Sequence, residues 1–167
     1  MIISLSKTPT WLLFIVSILP IIMIYNDAVI WATSNILVFS FLSLWLYSIT
    51  TQLLNGNIFY DKLKKNRFVT ILVISLLYTI ALSIYFSITP NNYEEPPWIF
   101  LIIIPGNILL AYAYFFILNF IAKLIATIES EKITTFDKYA SYFFCLFFFP
   151  IGIWWMNPKI KSLIRKG

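Results

Sequence analysis

The chain has 167 residues, of which 60% are hydrophobic, 19% aromatic and only 11% charged, against roughly 45–50% apolar and about 25% charged in soluble domains. That balance excludes an ordinary soluble domain and leaves no length for one beside the spans, so we read residues 1–167 as a single all-α integral membrane domain. The net charge of +5 does not point to nucleic acid, because in a membrane protein basic residues mainly record which ends stay in the cytoplasm.

Histidine is absent and Cys145 stands alone. The commonest general base and metal ligand is therefore missing, and an internal disulfide, a CxxC pair and a thiolate metal cluster are excluded. No cofactor is expected. Heavy use of Ile, Phe, Tyr, Asn and Lys with little Gly and Ala suits an AT-rich bacterial genome, which is an association rather than physics.

Four spans are expected, over about 10–30, 32–54, 68–88 and 98–122. Lys7 before the run Trp11 to Tyr25 superficially resembles a secretory signal, but no A-x-A-like pair follows, so the run reads as span one. Thr8 is placed to act as its N-cap and Pro9 as its first helical residue, with a kink at Pro20. Span two ends at Asn55-Gly56-Asn57, residues that accept a helix-terminating conformation. Its Ser40, Ser43, Tyr47 and Thr51 recur at helical period in one stripe. That stripe reads as a hydroxylated seam between helices, with a water-lined path as the alternative.

Ser75, Thr79 and Ser83 of span three repeat every four residues, a small-residue packing seam. Span four opens at Pro97 and Trp98 and contains Pro105-Gly106-Asn107, where a break or proline kink is expected. Asn107 shares a helix face with Tyr114, and Tyr112 with Asn119; these amides and phenols mark buried seams before they mark a substrate site. Beyond the span, Lys123 to Lys138 is polar and of mixed charge, and Thr134-Thr135-Phe136-Asp137 resembles a helix cap.

The charge count threads the chain. With the N-terminus inside, Lys7, Lys62, Lys64, Lys65, Arg67, Lys123, Lys132 and Lys138 all face the cytoplasm, while Asp27, Glu94 and Glu95 face out. If 139–156 crossed as a fifth span, Lys159, Lys161, Arg165 and Lys166 would be left outside. We therefore expect a re-entrant or interfacial aromatic hairpin over 139–156, turning at Pro150-Ile151-Gly152, with five transmembrane helices as the alternative. The tail 158–167 sets Ile160, Leu163 and Ile164 on one face opposite a basic one, suited to an anionic inner leaflet. Pro150, Gly152, Trp154, Trp155, Lys159, Lys161 and Arg165 are the candidate surface for a partner or the membrane.

The ending FFFPIGIWWMNPKI resembles the C-terminal segment of small bacterial multi-spanning membrane proteins, with an aromatic run, Pro-x-Gly-x-Trp and a closing Pro-Lys. The likeness implies a bacterial inner-membrane setting and no particular activity. In size and span number the chain also resembles membrane-embedded immunity proteins.

No span carries an ionisable residue at its centre, and no spacing nominates a base beside a nucleophile, so an enzyme is not expected. The expected function is non-enzymatic: binding to another membrane component, as an accessory subunit, an immunity-type protector or a homo-oligomer. A small oligomeric channel or transporter is the alternative and a membrane enzyme the third reading.

Overall fold

The structure, a computed structural model, describes residues 7–22, 28–54, 65–89 and 97–166. Every regular element among them is helical: α1 (Thr10–Ile22), α2 (Ala28–Leu54), α3 (Lys65–Ile88), α4 (Pro97–Ser130), α5 (Phe136–Phe147) and α6 (Phe149–Lys166). Three segments are long and apolar enough to cross a membrane: Ala32–Leu54, Lys65–Ile88 and Trp98–Ser130.

The expected first span differs. Helix α1 has 13 residues, about 20 Å at 1.5 Å per residue, short of a hydrocarbon core of roughly 30 Å. Residues 28–30, expected at the end of that span, open α2 instead. The helix stop at Asn55-Gly56-Asn57, the loop charges Asp61, Lys62, Lys64, Glu94 and Glu95, and Asp27 all lie outside the described residues.

Pro9 is the cap of α1, one residue later than expected: its carbonyl accepts from Leu12 N at 3.2 Å and Leu13 N at 3.4 Å. Helix α4 runs unbroken for 34 residues through Pro105, where a break or kink is expected. Beside it, Tyr78 of α3 donates a hydrogen bond to the Ile103 carbonyl at 3.4 Å, and its ring rests against Gly106, where any Cβ would collide with it.

Helix α4 also continues past its expected end at 122 and stops where Glu131 enters the left-handed region, φ 54°. Thr135 then caps α5 in an extended conformation, φ −86° and ψ 164°, with Asp137 in the first turn, where a carboxylate suits the helix dipole.

The turn between α5 and α6 falls at Phe148, φ −85° and ψ 49°, ahead of the expected Pro150–Gly152. Pro150 has no N–H for the Leu146 carbonyl, so it suits the first-turn place that it takes in α6, where no such bond is needed. Gly152 lies against the Cys145 carbonyl, with no room for a Cβ. Helix α6 then runs through Pro158 to Lys166, so the expected separate tail is the second half of one helix. Its apolar face is used internally: Ile160 is fully buried and Leu163 nearly so.

Packing joins α2 to α3, α3 to α4, α4 to α5, α5 to α6 and α6 back to α1. One cluster contains Leu13, Trp45, Phe68, Ile121, Ile125, Leu146, Ile153 and Ile160. In lipid, burial against protein replaces one apolar surrounding by another, so close packing rather than transfer from water holds such a core.

Candidate functional site

Short α5 stops partway along the bundle, about 18 Å for its 12 residues. Above the turn lies a cavity of about 500 Å³, within the range of roughly 300–1,000 Å³ that holds one small molecule. Leu146 and Phe149 line it next to the turn, and Leu72, Ser75, Leu76 and Thr79 of α3 form one wall. Phe39 of α2 and Asn107, Ala111 and Tyr114 of α4 line it and are solvent-exposed. Those four lie mid-helix, so the mouth opens sideways, through the flank of the bundle and not at its end.

Among the described residues the lining contains no Asp, Glu, Lys or Arg. Its hydroxyls fall into two groups. Ser17 donates to the Phe14 carbonyl at 2.8 Å, Ser75 to Leu72 at 2.9 Å and Thr79 to Ser75 at 2.9 Å. With their protons engaged, these three offer the cavity only acceptor lone pairs. The side chains of Ser43, Asn107 and Tyr114 make no hydrogen bond among the described residues, so they present unspent donors.

A second polar cluster lies where α4, α5 and α6 meet. Lys159 stands 2.9 Å from the Glu129 carboxylate, and Tyr142 donates to Glu129 while accepting from Lys159. Burial pulls the Lys159 ammonium down in pKa, but hydrogen bonds and charge attraction from Tyr142 and Glu129 outweigh it and hold the group above its ordinary value. An ammonium so held stays protonated at neutral pH and is no general base. Close by, Asn157 donates from Nδ2 to the Thr8 carbonyl at 3.2 Å and Thr10 Oγ1 at 3.0 Å. Lys161 donates to the same Thr8 carbonyl at 2.8 Å. These bonds tie α6 to the start of α1.

Of the sequence candidates, the cavity gathers Ser43, Asn107 and Tyr114. Ser40 and Thr51 are half-buried elsewhere on α2, and Tyr47 is 41% exposed. The stripe thus does not line one path. Tyr112 is exposed and Asn119 half-buried. Trp154 and Trp155 are exposed, Trp154 with its ring 6.0 Å from Phe14. Gly152, Lys159 and Lys161 make internal contacts, while the side chains of Pro150 and Arg165 lie outside the described residues.

Ser75 and Thr79, read from sequence as a packing seam, form cavity wall. Sequence reasoning missed Ser17, Tyr78, Glu129, Tyr142 and Asn157. Ser17 and Asn157 are single polar residues in apolar or aromatic runs, with no periodic partner to expose them. No known family model, curated protein or solved structure matches the chain.

Proposed function

We propose that this is a non-enzymatic protein of the bacterial inner membrane that acts by binding another membrane component at the side-opening cavity. The N-terminus is cytoplasmic, and α5 with α6 forms a re-entrant hairpin that enters and leaves on the cytoplasmic side. The observation that carries the reading is an uncharged cavity with unspent donors, open through the flank of helices apolar enough to span a bilayer. Polar groups facing hydrocarbon are costly and mark function when they have no internal partner. The hairpin is supported by the charge count, by the contact of Tyr142 on α5 with Lys159 on α6, and by the bond from Asn157 of α6 to Thr8 near the N-terminus. A channel is less well supported, since no charged side chain lines the cavity among the described residues.

Two measurements test this. A photoreactive phenylalanine analogue in place of Ala111, at the cavity mouth, is expected to give a discrete adduct in native membranes that the same analogue at exposed Leu101 does not. Equal or absent adducts at both sites, with the protein inserted, sink the proposal. A reporter fused after Gly167 is expected to be active only in the cytoplasm; activity on the outer side removes the hairpin.

A further inference from the structure

We infer that the membrane component held by the cavity is a single neutral, lipid-like molecule: one apolar chain ending in an uncharged, hydrogen-bonding head such as an alcohol. This rests on the cavity being the binding site and narrows what fills it.

The entrance comes first. Exposed Phe39, Asn107, Ala111 and Tyr114 frame the mouth at mid-helix, so the cavity communicates with the layer that surrounds the spans. What arrives by that route is dissolved in hydrocarbon. The walls are of the same kind, since apolar side chains, Leu42, Leu46, Leu72, Leu76, Ile117 and Leu118 among them, supply most of them. A volume of about 500 Å³ exceeds by an order of magnitude the roughly 30 Å³ share of one water. It is a ligand-sized space and not a packing defect.

Charge selects the head group. No acidic or basic side chain lines the cavity among the described residues, so a phosphate, carboxylate or ammonium would lose its hydration and meet no counter-charge there. A neutral head meets a complementary arrangement. Ser75 and Thr79 offer acceptors on the α3 wall, while Ser43, Asn107 and Tyr114 offer donors from α2 and α4. An alcohol, which donates once and accepts as well, bonds a member of each set at once, whereas an ionised head would need a counter-charge. A pure hydrocarbon leaves the donors unspent.

The test uses the full chain in lipid nanodiscs and two probes: a long-chain fatty alcohol carrying a diazirine, and the matching fatty acid in its ionised form. Labelled peptides are mapped after irradiation. The alcohol is expected to label the segments around Ser43 and around Asn107 to Tyr114 saturably, and unlabelled alcohol to compete. Asn107→Leu is expected to weaken the competition about three- to tenfold, the loss of one hydrogen bond. Ala111→Trp is expected to abolish saturable labelling by filling the mouth. Phe39→Trp, on the opposite lip, serves if Ala111→Trp does not fold, as judged by thermal unfolding.

Labelling that never saturates, that spreads evenly to Leu101 and Leu109, or that the fatty acid matches overturns the inference. If the Ala111 photoadduct proves to be a protein while the alcohol does not saturate, the cavity is a binding site but its occupant is a partner helix. If neither binds, the function proposed above falls as well.

Discussion

The Lys159 ammonium on α6 stands 2.9 Å from the Glu129 carboxylate at the end of α4, and Tyr142 of α5 hydrogen-bonds to both. Three successive helices are thereby pinned at one point. Lys159 also lies over the Tyr142 ring, 4.5 Å from its centroid, an arrangement that favours a cation.

The side chains of this pair are 32% and 44% exposed, which limits what the pair contributes. A double-mutant cycle of Glu129→Gln and Lys159→Met, followed by thermal unfolding in detergent, is expected to give a coupling of about 0.5–1 kcal/mol. Because Lys159 is held above its ordinary pKa by its partners against the opposing effect of burial, the contribution is complete below the unfolded value of about 10.4 and is lost as pH rises through the folded one. The coupling should therefore be constant between pH 6 and pH 9, on the order of the window over which lysine stays charged. A coupling that vanishes by pH 8, or is absent throughout, contradicts this account.

Gly152 and Gly106 make a contrasting pair. At Gly152 an added methyl meets the Cys145 backbone, which cannot move without separating α5 from α6, whereas at Gly106 it meets the outer part of the Tyr78 side chain. Gly152→Ala is expected to cost at least about 3 kcal/mol, beyond the usual overpacking range. Gly106→Ala should cost about 1–2 kcal/mol as the Tyr78 ring swings aside and its bond to Ile103 is lost. Unfolding midpoints of the two variants, measured side by side, check the order; equal losses would mean that the α5–α6 contact is not tight.

Asn157 is completely buried and joins α6 to Thr8 and Thr10. Asn157→Ala removes both bonds while Lys161 keeps the Thr8 carbonyl occupied, so the loss should be about 1–2 kcal/mol and not the full cost of an unpaired buried group. Its Oδ1 has no partner of its own among the described residues, which offsets part of that loss. Faster hydrogen exchange over residues 10–14, with α4 unchanged, is the expected signature. Uniform acceleration over every helix would show instead that Asn157 supports the whole bundle.

Glu131 occupies the left-handed position that ends α4, φ 54°. Glycine takes that conformation without strain, so Glu131→Gly should stabilise by about 0.5–1 kcal/mol. A rise in unfolding midpoint is the readout, and a fall would indicate that the Glu131 side chain has an unrecognised role.

How much was legible follows from which forces act locally. The all-helical architecture could be read because hydrocarbon demands internally bonded backbone; of the four expected spans, three have a helix long and apolar enough among the described residues. Composition alone established the membrane setting, and the count of basic residues carried the expected threading. Tertiary structure decided the rest. Gly106, beside Pro105, is covered by the Tyr78 ring of another helix. The turn falls at Phe148, and the helices on either side of it meet where Gly152 lies against the Cys145 backbone. The stripe Ser40, Ser43, Tyr47 and Thr51 has one helical period but no one neighbour, so only Ser43 reaches the cavity, where Asn107 and Tyr114 join it. Periodicity states which residues share a face; what that face meets is set by the partner helices and by how far α5 and α6 penetrate between them.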